Sequence, residues 1–130
     1  MMRVDTDARR TIVDITDRVE SELPAVERGI CTVFVEHTTA GVLVNEAESR
    51  LLEDIDAALA DLVPDRTYAH DAIDDNADAH IRSVLLGPSA TIPVRDGSLA
   101  LGTWQSVLLV ESDGPRTRTV SVTVTPAVEE

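Results

Sequence analysis

The chain carries three histidines, His37, His70 and His80, and each falls at the end of an expected element or in a polar segment rather than inside an apolar stripe. Neutral imidazole is the commonest metal ligand, and three of them around zinc leave a fourth position for water or substrate. The gaps of 33 and 10 residues contain no HExxH or CxxC pairing, so the spacing fits three unrelated surface histidines as well. Asn76 and His80 are four apart and share one helical face, which suits a ligand with a polar assistant, while Asp78 points away from that face. In His37-Thr38-Thr39-Ala40-Gly41 two hydroxyls and a run of backbone N–H groups stand beside an imidazole, a turn that could cradle an anion or simply end a strand. Asn45-Glu46 follow, as helix cap and first-turn acid or as site residues.

Glu111-Ser112-Asp113-Gly114-Pro115-Arg116 reads as a tight turn with an acid entering and an arginine leaving. Arg116 could fork a phosphate or carboxylate, or pair across the strands with Glu111. Trp104 is the sole tryptophan and suits a core or interface plug. Cys31 alternates with Val33 and Val35 and reads as a small buried apolar residue that could form no internal disulfide. There is no Ser-His-Asp order, Walker loop or GxGxxG pattern.

The elements that must position these residues follow from periodicity. Residues 9–14 suit a first strand, after which Asp14 or Thr16 can cap a short helix carrying Val19 and Leu23. Gly29 opens an alternating β-branched strand, ICTVFVEH, with neither face plainly wet. A short apolar piece covers Val42 to Val44. A helix follows from about Ala47 to Leu62, with Leu51, Leu52, Ile55, Leu59 and Leu62 on one stripe, closed by Pro64. The polar residues 65–80 read as an ordered functional loop leading into a helix capped by Asp75 or Asn76, whose stripe of Ile81, Val84 and Leu85 ends at Gly87-Pro88. Strands are expected at 90–94, 98–102, 104–111 and 117–124, with Arg95-Asp96-Gly97-Ser98 the strongest hairpin signal. Consecutive strands without intervening helices favour an α+β chain ending in an antiparallel meander.

Composition bounds the rest. At 130 residues and 43% hydrophobic, the chain makes one domain, residues 1–130, with one core. No apolar run is long enough to span a bilayer and the start lacks a signal-peptide stretch, so a soluble cytoplasmic protein is expected. The 24 acids outnumber 11 basic residues, all of them arginine, for a net charge of −13. A surface this negative disfavours nucleic acid and anionic membranes as partners. An acidic, lysine-free chain with only Phe34, Tyr68 and Trp104 as aromatics fits a halophilic protein, and also a GC-biased genome that favours arginine codons.

Four blocks carry a resemblance: His37-Thr38-Thr39-Ala40 with Asn45-Glu46, Asn76-Ala77-Asp78-Ala79-His80, Leu101-Gly102-Thr103-Trp104-Gln105, and Glu111-x-Asp113-Gly114-Pro115-Arg116. Their order over residues 30–120 resembles the YjbQ family, also called UPF0047 or the secondary thiamine-phosphate synthase family. One departure is Ala47-Glu48-Ser49-Arg50, which stands where family members carry an Asp-Pro-containing stretch. The resemblance implies an α+β fold of about seven mostly antiparallel strands in two packed sheets with about three helices, and a homotrimer. It implies a pocket in which His37, His70 and His80 hold a divalent metal, zinc by preference, with Glu111 as base or supporting acceptor beside Asn45 and Gln105. Arg116 with Thr38 and Thr39 would hold a small phosphate-containing molecule. The implied activity is a low, secondary thiamine-phosphate synthase reaction. The alternatives are a metal-dependent phosphohydrolase attacking through zinc-bound water, and a non-catalytic anion- or metabolite-binding trimer.

Salt adaptation has a direct check: urea unfolding should show higher stability in molar salt than in low salt, and equal stability in both would count against it.

Overall fold

The computed structural model describes residues 1–128. Among these, eight strands and three α-helices run in the order β1 (Met2–Asp5), β2 (Thr11–Asp14), α1 (Thr16–Ser21), β3 (Gly29–Val35), β4 (Ala40–Asn45), α2 (Ser49–Leu62), α3 (Ala77–Leu86), β5 (Ser89–Arg95), β6 (Ser98–Leu99), β7 (Ser106–Glu111) and β8 (Thr117–Pro126). A single 3₁₀ turn, Ala69–Ala72, lies between α2 and α3. The strands form two antiparallel sheets, one of order β1-β8-β3-β5-β6 and one of order β2-β7-β4. This is the α+β, two-sheet class expected, with one more strand, because Met2–Asp5 pairs with β8.

Alternation explains the packing. Cys31, Val33 and Val35 of β3 turn inward with Val4 of β1, Val120 of β8 and Ile92 and Val94 of β5, and meet Val42 of β4 and Val107 and Leu109 of β7. Burial also raises the Cys31 thiol above its ordinary range, helped by the Glu20 charge, which keeps it an inert core residue. The other face of β3 is wetter than its composition suggests: Ile30 and Phe34 are 44% and 41% exposed. Strand β7 is covered on both faces, because Leu108 and Val110 are also buried, on the side where α2 lies against β2 and α3 against β4.

The expected terminal meander does not form. Among the described residues only β5 and β6 make a hairpin, turning at Asp96 and Gly97 with φ of 52° and 78°; positive φ at both positions is what a two-residue type I′ turn requires. Strand β7 instead sits between β2 and β4, and β8 between β1 and β3. The Glu111–Arg116 segment therefore crosses from one sheet to the other and is no hairpin. Helix α3 also turns opposite to its apolar stripe. Asp78 and Arg82 are buried, whereas Val84 is 82% exposed. Arg82 spans the gap to α2, donating from Nη1 to Asp78 at 2.9 Å and from Nη2 to the Val63 carbonyl at 3.0 Å. An uncapped helix-end carbonyl and an internal carboxylate outweigh the apolar stripe in setting the face. Gly41 lets α3 lie close to β4, since a Cβ there would come within 2.8 Å of the Leu86 side chain.

Capping is likewise local. The Asp14 carboxylate accepts from the Thr16 amide at 3.0 Å and hydroxyl at 2.6 Å at the start of α1. Helix α2 is capped by Glu48, which accepts from Leu51 N at 2.7 Å, not by Asn45, which ends β4.

The two sheets are tied at one end by a buried ion pair. Glu111 ends the inward row of β7 after Val107 and Leu109, and Arg118 occupies the inward position of β8 two residues before Val120. Arg118 Nε donates to Glu111 Oε1 at 2.9 Å, and Nη2 donates to Oε2. Burial alone would push the Glu111 carboxyl up, but hydrogen bonds from Arg118, from Asp113 N and from the Thr6 hydroxyl outweigh it and hold it below the usual carboxylate range. A depressed folded value adds stability that is complete above the unfolded value of about 4.3 and is lost as pH falls through the folded value. Thermal unfolding from pH 7 to pH 2 should therefore show a steep loss in the acid range. Glu111→Gln should flatten that loss and cost about 3–5 kcal/mol at neutral pH by leaving Arg118 buried and unpaired. An unchanged acid profile would remove the pair from this role.

Candidate functional site

Just outside this ion pair lies an open recess of about 390 Å³. One wall is the turn from β3 to β4, with Glu36, His37, Thr38 and Thr39; the opposite wall is the first turn of α3 with Asn76 and His80, together with Asp74 before it. Asp113 and Arg116 of the crossing segment, and Arg118 behind them, form the floor. Four segments distant in sequence converge because β4, β7 and β8 deliver their ends to the same edge of the sandwich.

The His37 ring is held by the backbone: Nε2 accepts from Thr119 N at 2.9 Å. That bond makes Nε2 the unprotonated nitrogen, so the neutral ring carries its one N–H at Nδ1. Burial, then the Arg118 and Arg116 charges, lower the His37 pKa against the opposing pull of Glu111 and Glu36, which favours this neutral form. Thr39 is buried and accepts from Arg118 Nη2 at its hydroxyl, 2.9 Å away, so it supports the floor, while Thr38 is exposed at the rim.

Asn76 donates from Nδ2 to Asp113 Oδ2 at 2.9 Å, and its Oδ1 is buried without a protein partner. Arg116 donates from Nη2 to the same carboxylate oxygen at 3.0 Å and from Nε to the Asp113 carbonyl at 2.8 Å, with its side chain 52% exposed. The cross-strand Glu111–Arg116 pair is thus replaced by two others, Arg116 with Asp113 and Glu111 with Arg118. Gly114 makes the crossing possible. A Cβ there would sit 2.2 Å from the Ala8 carbonyl, and its N–H donates to the Arg9 carbonyl at 3.0 Å.

The family model "UPF0047 protein YjbQ-like" matches residues 1–127. The chain belongs to the UPF0047 (YjbQ-like) family. A UPF0047 protein of Methanothermobacter thermautotrophicus is 49% identical over 122 residues, covering 92% of this chain and 85% of the relative. One from Archaeoglobus fulgidus is 48% identical, covering 93% and 96%. Among solved structures, a hypothetical protein from Aeropyrum pernix K1 superposes with a TM-score of 0.92 at 43% identity, covering 97% and 96% of the two chains. A YbjQ-like protein of unknown function from Sulfolobus solfataricus P2 gives 0.91 at 40% identity, covering 97% and 94%.

The UPF0047 fold divides the expected site residues into groups. His37, Thr38, Thr39, His80 and Arg116 line the recess. His70 stands behind His80, its ring centroid 4.9 Å away in an edge-to-face contact, and does not line the recess. Glu111 is fully engaged by Arg118, Thr6 (2.7 Å) and Asp113 N (2.9 Å), which leaves it no free oxygen to act as a base; it is an acceptor that shapes the floor. Asn45 and Gln105 lie at the far end of the second sheet. Asn45 is opposite Ser106 in register, whereas Ala40, at the recess, is opposite Glu111. Six residues of strand place roughly 17 Å between the two ends. The residues missing from the sequence reading are Arg118, Glu36 and Asp74. An arginine at an inward position of an alternating strand was the available signal for the first.

Zinc held by His37, His70 and His80 does not fit this geometry: the Nε2 of His37 is taken by a backbone N–H, His70 lies outside the recess, and among the described residues no three His, Cys, Asp or Glu side chains group to hold a metal. After zinc loading and dialysis, mass spectrometry should find well under one zinc per chain, with no difference in His80→Ala. About one zinc per chain, lost in that variant, would restore the three-histidine site.

Proposed function

We propose that the recess binds the phosphate of a small phosphate-containing molecule together with the divalent cation that accompanies it. The observation that carries this reading is the mixture of charges in one recess. Arg116, the Nδ1–H of neutral His37 and the Thr38 hydroxyl are donors suited to phosphate oxygens. Glu36 and Asp74 line the same space and, among the described residues, take no side-chain hydrogen bond or ion pair. These carboxylates would repel a bare anion. Magnesium is ordinarily bound by one or two carboxylates plus substrate phosphates and not by a cage of protein ligands, so Glu36 and Asp74 suffice to receive a cation delivered on the phosphate. The orphan Oδ1 of Asn76 offers an acceptor to a ligand hydroxyl, amine or bound water.

The secondary thiamine-phosphate synthase activity carried by the family resemblance fits this arrangement. Joining a pyrimidine pyrophosphate to a thiazole phosphate requires the departing pyrophosphate to be steadied more than it requires a strong base, and the divalent cation supplies charge for that purpose when bound. The chain's own contribution is to hold the phosphate through Arg116 and His37 and to keep the floor rigid through the Glu111–Arg118 pair. A non-catalytic binding role is the second reading, favoured by the engagement of Glu111, which among the described residues leaves the recess no buried carboxylate free to move a proton.

Calorimetric titration with inorganic pyrophosphate tests the site. Binding is expected in the presence of magnesium and not with chelator, weakened about tenfold or more in Arg116→Ala, in line with the loss of a charge-assisted bond. Unaltered affinity in that variant removes the phosphate role, and equal affinity without magnesium removes the cation. Incubation with the two synthase substrates then separates the readings, because product formation supports the enzyme and binding without product supports the carrier.

A further inference from the structure

Two stretches singled out in the sequence, Asn45-Glu46 and Gly102-Thr103-Trp104-Gln105, play no part in the His37 recess. They meet instead at the opposite end of β4 and β7. There Glu46, Ala47 and Glu48 face Thr103, Trp104 and Ser106 across a shallow recess of about 300 Å³, at the lower bound for small-molecule sites. Strand register brings them together, since Asn45 is opposite Ser106.

Trp104 is not the core plug its uniqueness suggests. It is 73% exposed, on a turn closed twice: Gly102 N donates to Gln105 Oε1 at 2.8 Å and Gln105 N donates to the Gly102 carbonyl at 3.1 Å. The turn holds the indole out toward water. Beside it are two carboxylates of different standing. Glu48 is occupied, accepting from Arg50 Nε at 2.6 Å and from Leu51 N at 2.7 Å, which keeps its carboxyl below the usual range. Glu46 is half-buried, and among the described residues its carboxylate takes no hydrogen bond or ion pair; its backbone N–H is anchored to Asn45 Oδ1 at 2.8 Å. An indole face is the best aromatic surface for a cation, and an unpaired carboxylate next to it adds charge of the right sign.

We propose that the Trp104–Glu46 recess is a binding site for a small organic cation of the alkylammonium or quaternary ammonium class. Trp104 supplies the face, Glu46 the counter-charge, and the Thr103 and Ser106 hydroxyls offer acceptors for a polar substituent on the ligand. The proposal stands apart from the phosphate reading, resting on different residues at the other end of the sheet.

The single tryptophan gives the readout. Fluorescence titration with choline chloride, at ionic strength held constant with sodium chloride, should give a saturable change. The neutral isostere 3,3-dimethylbutan-1-ol should bind about tenfold or more weakly, since it keeps the shape and loses the charge. Glu46→Gln should weaken choline several-fold with Trp104 emission still available. In Trp104→Ala the broadening of the choline methyl resonance by protein should disappear, with circular dichroism unchanged from the parent. Three results would overturn the proposal. One is no saturable response to choline. Another is an equal response to the neutral isostere. The last is a blue-shifted emission that follows self-association in sedimentation and ignores choline, which would make Trp104 a contact between copies of the chain.

Discussion

The Glu111–Arg118 pair is the constraint on which the end of the molecule that carries the His37 recess rests. Glu111 occupies the last inward position of β7 and Arg118 the first inward position of β8, where alternation would otherwise bring apolar side chains together at the open edge of the sandwich. Two buried charges are tolerated there because all their partners are present. Arg118 reaches both oxygens of Glu111 and the Thr39 side chain and carbonyl, and Glu111 also accepts from Thr6 and Asp113 N. A buried pair contributes little net stability over an apolar filling, but removing one partner is costly, so the arrangement fixes geometry. It joins the β1–β2 connection, the β3–β4 turn and the crossing between the sheets in one network. Those are the segments that form the recess.

The consequence is a division of labour among like residues. Of the two arginines near the crossing segment, Arg118 is structural and Arg116 is available; of its two acids, Glu111 is consumed and Asp113 is shared between Arg116 and Asn76. His37 is similarly committed at one nitrogen and open at the other. In a chain of net charge −13, a phosphate site must work against the global field, and two unpaired carboxylates in the recess sharpen that conflict. The proposed binding of phosphate together with its cation would resolve it without a cluster of basic residues.

Much of the fold was legible. The Asp96-Gly97 turn, the half-buried stripe of α2 as far as Leu59 and the alternation of β3 each follow from one local period or one turn type, whereas Leu62, expected on the same stripe, is 71% exposed at the helix end. What was not legible is pairing between distant strands. Periodicity says that β7 alternates and is apolar on both faces; it does not say that its neighbours are β2 and β4 instead of β6 and β8. From that single uncertainty came the misplaced hairpin at Glu111–Arg116, the pairing of Glu111 with the wrong arginine, and the grouping of Asn45 and Gln105 with residues at the opposite end of the sheet. The inverted face of α3 has a different origin. The carbonyl of Val63 and the carboxylate of Asp78 needed a buried donor, a demand visible only once α2 and α3 are adjacent.

By itself the sequence determined the family, the α+β class, the hairpin turn, the helix boundaries to within a few residues, and which histidines and threonines stand at strand and helix ends, because these depend on residue types at short separation. Only the tertiary structure decided which of those residues share a recess, which charges cancel in the interior, and which nitrogen of His37 remains free. Those outcomes depend on contacts among segments up to about a hundred residues apart, such as Thr6 with Glu111, and a hydrogen bond commits a polar group only when its partner has arrived.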